Sequence, residues 1–390
     1  MSDDEQLGVN TRRRRLLVPF GTRPEIIKLA PVVRALRNVG HGVVCVNTGQ
    51  HSTPIMSTEI AHALDLVADV TLTLIDEGDQ RVGQIHADAL RVVREQKPDV
   101  VLALGDTDTV PAYALAARRN SVAFAHLEAG LRSFNDRSVE ELNRRVASAA
   151  ASLHFAPTLR ARTFLQHEGI ANERIFVVGN PVTDTLVESS LEPVEVSHRQ
   201  GVLLTAHRPT NVDDPERLQR LITLVNALSI QVGPVFFPVH PRTARLLAEV
   251  SRDTPLSSSV TLSEPLGYVE FIGRLRRSKL VVTDSGGVQE EAAYFGVPVV
   301  ILRGSTPRWE GVDNGSAVLA TLASADGAAR ALAASLQLTT DESQRKVARL
   351  PCPYGDGTTG LQVARVLANA SVDELLELRE PNFVNGAVPW

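Results

Sequence analysis

Three acidic residues in the first half of the chain stand where proton chemistry would need them. Asp106 follows an apolar run at 99–104 and Gly105, Glu128 follows a second run at 122–126, and Glu140 opens an amphipathic stretch that continues through Arg144. A single acid after an apolar run is commonly a helix cap. Glu140 and Arg144, four residues apart, also suit a simple surface ion pair. Gathered at one sheet edge, the three acids suit general acid–base work, which needs carboxylates partly withdrawn from water with their pKa values pushed apart.

The complementary signal is for an anion. After the run at 16–20 come Gly21, Thr22, Arg23, Pro24 and, about one helical turn on, Lys28. Gly21 permits a tight turn, Thr22 can cap, Pro24 suits a first helical position, and the amides of such a helix start suit a phosphate. The glycine spacing matches neither a Walker loop nor a dinucleotide fingerprint. A surface turn with solvated charges fits the same spacing. In the second half, His207 and Arg208 follow one apolar run and His240 follows another. Residues 283–287 then lead into Gln289, Glu290 and Glu291. Ser285, Gly286 and Gly287 would present amides at a helix start, and Glu290, one turn in, suits ribose hydroxyls. Arg303, Ser305, Thr306 and Arg308 add hydroxyls and guanidinium groups fit for a diphosphate. A histidine after a strand is usually a satisfied structural residue. Here the glycine-rich turn and the arginine loop shift the balance toward anion binding.

Positioning these residues takes a sheet. Apolar runs at 16–20, 42–47, 99–104, 122–126, 153–156 and 175–179 alternate with helical stretches such as 81–97, where Val82, Ile85, Ala89 and Val92 share a face. Five further runs, at 201–206, 235–239, 260–262, 280–283 and 298–302, repeat the alternation. The expected fold class is α/β, with two doubly wound Rossmann-like domains facing across a cleft. Periodicity fails at 188–193, which places an N-terminal domain at 1–190 with the carboxylates and a C-terminal nucleotide domain at 191–370. A short helix at 372–379 and an irregular tail complete residues 371–390. Ligands of open α/β sheets bind beyond the carboxyl ends of the strands, and these candidate residues fall there.

A length of 390 residues suits two cores, and 43% hydrophobic with 22% charged residues is an ordinary globular balance. The net charge of -5 gives no sign of a nucleic-acid or anionic-membrane surface. Arg12 to Arg15 read as a solvated lead-in to the first strand rather than a docking patch. No signal peptide or membrane span is legible, so a cytoplasmic protein is expected. Cys45 and Cys352 make neither a disulfide framework nor a metal-ligand set.

Taken in order, these motifs resemble those of the non-hydrolysing UDP-N-acetylglucosamine 2-epimerases. The resemblance rests on segments 21–28, 48–51, 105–107, 126–132, 140–144, 154–157, 179–180, 205–208, 238–240, 284–291, 305–308 and 353–357. It implies a GT-B-like fold and reversible epimerisation of UDP-N-acetylglucosamine to UDP-N-acetylmannosamine. In that reaction a base removes the proton on the acetamido-bearing carbon, UDP leaves to give a glycal, and UDP re-adds as the proton returns on the opposite face. Asp106, Glu128 and Glu140 would share the proton transfers. His207 and Arg308 would steady the diphosphate, with Arg23, Lys28, Arg144 and His240 as further substrate contacts. Ser285, Gly286, Gly287 and Glu290 would hold phosphate and ribose. The resemblance implies no metal or redox cofactor, UDP and its sugar conjugate as the only small partners, and a homodimer. The product would serve polysaccharide or specialised-metabolite synthesis.

The sequence also departs from that pattern. Arg208 is followed by Pro209 and Thr210 where the family has charged and amide residues, and Gln50-His51 is followed by Ser52-Thr53-Pro54. In many bacterial members these two segments help bind a second, activating substrate molecule. Proline offers neither charge nor amide donor, so a weakened or absent activator site is expected. The loop between Arg132 and Glu140 is also short for the family. The hydrolysing branch, which releases N-acetylmannosamine, would share the same carboxylates. A glycosyltransferase on this fold would not need three acids, and a non-catalytic sensor would need no proton donors.

Overall fold

The computed structural model describes residues 12–50, 64–75, 78–239, 241–252 and 254–376. The chain divides into two compact units, one of residues 1–185 with 355–390 and the other of residues 186–354.

The first unit is built on seven parallel strands: β1 (Arg15–Phe20), β2 (Gly42–Asn47), β3 (Val70–Thr71), β4 (Val100–Leu104), β5 (Ala123–Leu127), β6 (Leu153–Ala156) and β7 (Ile175–Val177). Their order is β3-β2-β1-β4-β5-β6-β7. Every residue of β4 and β5 is buried. Continuous apolar runs of this kind belong to parallel strands covered on both faces. Leu16, Val18 and Phe20 join one core with Leu29, Val32 and Leu36 of helix Arg23–Asn38. Leu17, pointing the other way, joins a second core with Val92, Val93 and Tyr113. The period-two alternation of a strand thus feeds two helix layers at once.

The second unit repeats the plan with β8 (Val202–Thr205), β9 (Val235–Pro238), β10 (Val260–Ser263), β11 (Leu280–Thr283), β12 (Val299–Ile301) and β13 (Ala317–Leu319). The order is β10-β9-β8-β11-β12-β13, again all parallel. Each sheet reverses its winding direction once, at β1/β4 and at β8/β11. Those switch points splay the loops above them and leave a crevice for a ligand.

The α/β expectation and all eleven anticipated strands agree with this architecture. β3 and β13 were not anticipated; β3, with two residues, is too short to show a period. The last helices also sit elsewhere than expected. Helix Thr359–Asn369 lies within the expected C-terminal domain of 191–370, yet it packs on helix Arg23–Asn38 of the first unit. Its Val363, Ala364 and Leu367 complete the core around Val32 and Leu36. Gly360 allows the close crossing, since a Cβ there would lie 3.0 Å from the Pro31 carbonyl oxygen. Asp184 receives the amides of Thr359 and Gly360 at 3.2 and 2.8 Å, capping the returning helix. The final described helix is Val372–Leu376, and the expected remainder to residue 379 lies outside the described residues.

Candidate active site

In the first unit, strand register brings the acids together. Leu104 pairs with Leu127, and the Gly105 amide donates to the Leu127 carbonyl at 3.0 Å, so Asp106 and Glu128 leave the sheet side by side. Glu128 is buried and has φ = +66°. A left-handed backbone costs a non-glycine residue on the order of 1–3 kcal/mol and persists only where the surroundings dictate it. The surroundings do so here: Lys28 Nζ and Asn180 Nδ2, the latter at 2.6 Å, both donate to Glu128 Oε1. Lys28, expected at a diphosphate, is buried against this carboxylate.

Asp106 is one-third exposed and ion-paired with the buried Arg144. Helix Val139–Ala150 supplies that arginine, and Asn143 on the same helix donates to the Asp106 carbonyl at 3.0 Å. Arg144 does not form the surface pair with Glu140 that the four-residue spacing suggested. Its second ion pair is with Glu141, at 2.7 Å. Glu141 is buried and also accepts from the Ser133 amide and hydroxyl, each at 2.8 Å. Burial works to raise its pKa, but the Ser133 amide and Arg144 outweigh burial and hold the carboxyl below its usual range. Glu140, at the helix start, is half-buried and accepts from the Ser138 hydroxyl.

The turn after β1 differs from its expected use. The Gly21 and Thr22 amides donate to Glu25 Oε2 at 2.9 and 2.8 Å, so the chain's own carboxylate occupies the helix start where a phosphate was expected. Thr107 donates to the other oxygen of Glu25 at 2.7 Å and ties this turn to the Asp106 loop. Burial pushes the Glu25 carboxyl above its usual range despite these hydrogen bonds. Arg23, the first residue of the helix, is half-buried. Beneath the loops, His126 Nε2 lies 2.8 Å from the Gly105 carbonyl, and burial drives its pKa down to about 3. His154, equally buried, is lowered to about 4.

In the second unit, Thr205 pairs with Thr283, so the residues after β8 and β11 are neighbours. Asp284, fully buried, accepts from the amides of His207 and Arg208 and from Asn211 Nδ2. The His207 ring stands outward, its side chain 55% exposed. Gly286 and Gly287 begin helix Gly287–Tyr294, and Arg308 folds back over that start. A Cβ on Gly286 would come within 2.6 Å of Arg308 Nη1, so only glycine leaves room for the guanidinium. Arg308 Nε donates at 2.7 Å to the fully buried Glu290, and its amide donates to Thr306 Oγ1 at 3.1 Å. Glu290, expected at ribose hydroxyls, pairs through Oε1 with Arg308. Ser285 is half-buried, with its amide donating to Thr283 Oγ1 at 2.9 Å. His240 and residues 51–54 lie outside the described residues. Pro209 opens a short helix, Pro209–Val212, at a position where its missing amide costs nothing.

Sequence reasoning did not single out Asn180, Glu141, Glu25 or Asp284 as site residues. Each acts through a partner, and the partners of Asn180 and Asp284 lie more than 50 positions away in sequence. The signals that could have found them are acidic and amide residues immediately after predicted strands.

The architecture defines a GT-B-like α/β enzyme with its polar loops at the carboxyl edges of two parallel sheets. A family model described as UDP-N-acetylglucosamine 2-epimerase matches residues 34–368. The UDP-N-acetylglucosamine 2-epimerase of Methanocaldococcus jannaschii is 34% identical over 374 residues, covering 90% of this chain and 98% of that protein. Its crystal structure in complex with UDP-GlcNAc and UDP superposes with a TM-score of 0.80 at 34% identity, over 90% of this chain and 99% of the other. The UDP-2,3-diacetamido-2,3-dideoxy-D-glucuronate 2-epimerase of Pseudomonas aeruginosa is 35% identical over 364 residues, covering 91% and 99%. The chain belongs to the UDP-N-acetylglucosamine 2-epimerase family, and its relatives of that name are isomerases. Among the described residues no helix is long and apolar enough to cross a membrane.

Proposed function

We propose that the enzyme interconverts UDP-N-acetylglucosamine and UDP-N-acetylmannosamine by elimination and re-addition of UDP. A carboxylate takes the proton from the acetamido-bearing carbon. The C–H electron pair forms the double bond to the anomeric carbon, whose bond to the UDP oxygen breaks. The same oxygen then re-adds to the glycal, and a second carboxylic acid returns a proton to the opposite face. Asp106, Glu128 and Glu140 carry the proton transfers, and Arg144 and Lys28 set the charge of the first two. His207, Arg308 and the Ser285–Gly287 turn hold the diphosphate as negative charge gathers on it. The reading also carries a cytoplasmic location and a homodimer; sedimentation velocity tests the latter.

The observation that carries this reading is the pairing of adjacent strand-end acids with buried cations, Asp106 with Arg144 and Glu128 with Lys28. A glycosyltransferase or sensor gives no reason to back carboxylates in this way. The test is incubation with UDP-N-acetylglucosamine in deuterated water. The expected product is UDP-N-acetylmannosamine labelled at the acetamido carbon; free sugar plus UDP would move the enzyme to the hydrolysing branch. Asp106→Asn should abolish turnover and label uptake and leave UDP binding intact, and unchanged turnover removes Asp106 from the mechanism.

The Pseudomonas relative gives a second substrate the same chemistry, a UDP sugar with an additional acetamido group and a sugar carboxylate. Parallel assays on both UDP sugars decide between them by kcat/KM.

A further inference from the structure

We infer that Asp284 is the positioning residue for His207, fixing the imidazole with Nδ1 turned inward and Nε2 presented to the diphosphate. The inference rests on the proposed reaction for its consequence in catalysis, but the ring geometry stands on the structure.

Asp284 is fully buried. A buried carboxylate is costly unless surrounded by donors, and the donors here come from one short segment. The amide of His207 lies 3.1–3.2 Å from both carboxylate oxygens, the Arg208 amide lies 2.9 Å from Oδ2, and Asn211 Nδ2 lies 3.1 Å from Oδ2. His207 Nδ1 is 3.2 Å from Oδ1. Arg208 Nε closes the set on the Asp284 carbonyl at 3.1 Å. Strand register makes the arrangement obligatory, because the Asp284 amide bonds to the carbonyl of Thr205, two residues before His207.

More than half of the His207 side chain is exposed, so little packing holds its direction. The carboxylate does so instead. With Nδ1 on the Asp284 side, a proton carried on Nδ1 would face the carboxylate, leaving Nε2 as the outward nitrogen. Protonated there, Nε2–H donates to a phosphate oxygen while the bond between the anomeric carbon and UDP breaks. The Asp284 charge stabilises that imidazolium, as carboxylates do behind catalytic histidines elsewhere. No proton need pass to Asp284. Its role is direction and charge.

The experiment compares the native enzyme with Asp284→Asn and His207→Asn, reading imidazole 15N shifts in the UDP complex, UDP affinity and kcat. In native enzyme the neutral His207 ring should carry its proton on Nδ1. In Asp284→Asn the amide group can face Nδ1 as a donor, so the tautomer should reverse while the backbone amides keep an oxygen acceptor. Turnover should fall on the order of 10²-fold, with UDP affinity, held by Arg308 and the glycine turn, much less affected. The double variant should be no slower than His207→Asn alone. A native ring protonated on Nε2 in its neutral form overturns the inference without any variant. Equal losses in UDP affinity and turnover in Asp284→Asn overturn it as well, since they mark a merely structural residue. If native enzyme takes up no deuterium from solvent into its sugar, the proposed reaction fails, and the tautomer result still judges Asp284.

Discussion

Substituting Gly286 by alanine tests the seat of Arg308. Gly286 has φ = -74° and ψ = -49°, an ordinary right-handed conformation that alanine adopts freely. The backbone therefore accepts the exchange, but glycine is the better residue at this N-cap of helix Gly287–Tyr294, so the exchange brings no gain in stability of its own. The new methyl, however, lies 2.6 Å from Arg308 Nη1 and 3.1 Å from Cζ. Ordinary contact begins at 3.4 Å, so the guanidinium must retreat by about 0.8 Å. Arg308 is buried and bonded through Nε to Glu290 at 2.7 Å, so retreat strains that bond or forces another rotamer. Losing one charge-assisted hydrogen bond to phosphate costs about 1.5–3 kcal/mol, or roughly 10- to 150-fold in UDP affinity. Isothermal titration with UDP and thermal unfolding, run on the same preparation, measure the two effects. The expected result is a lower Tm, from strain on the buried Arg308–Glu290 pair, together with weaker UDP binding and a comparable fall in kcat/KM. UDP affinity within twofold of native would falsify the assignment of Arg308 to the diphosphate.

Two further perturbations test the rest of the framework. Lys28→Met leaves Glu128 buried without its cation, which costs about 3–5 kcal/mol of stability and should abolish deuterium uptake at the sugar carbon; Lys28→Met with Glu128→Gln should recover the stability but not the turnover, and failure to recover it refutes the pairing. His126 and His154 have folded pKa values lowered to about 3 and about 4. The unfolded chain therefore binds more protons below pH ~6.5, and stability should fall with decreasing pH by up to about 1.4 kcal/mol per unit for each histidine. Denaturant midpoints between pH 7 and pH 4 measure this, and His126→Phe should flatten the slope.

Much of this molecule was legible in the chain alone. Strands of four to six apolar residues, bounded by glycine, proline or acids, announce themselves because a parallel strand must be apolar on both faces. Since each strand ends within two residues of its apolar run's end, the residues just after the run are known too. Asp106, Glu128, His207 and the Ser285–Gly287 turn were therefore visible as strand-end groups. The order of the motifs then pointed to a family that spacing alone did not.

Other features were decided only by tertiary structure. Helical periodicity says that Thr359–Asn369 has an apolar face but not which sheet receives it, and packing on helix Arg23–Asn38 settled that. The same limit applies to charge. Lys28 and Arg144 read as substrate contacts, and only strand order placed Glu128 and Asp106 beside them. Glu25 filled the helix start that looked ready for phosphate, because a side chain three residues on competes for the same amides. A sequence specifies which groups each strand end carries. Which of those groups meet, and so which are bound by neighbours and which face a substrate, is set by strand order and register, relations between residues that local pattern does not encode.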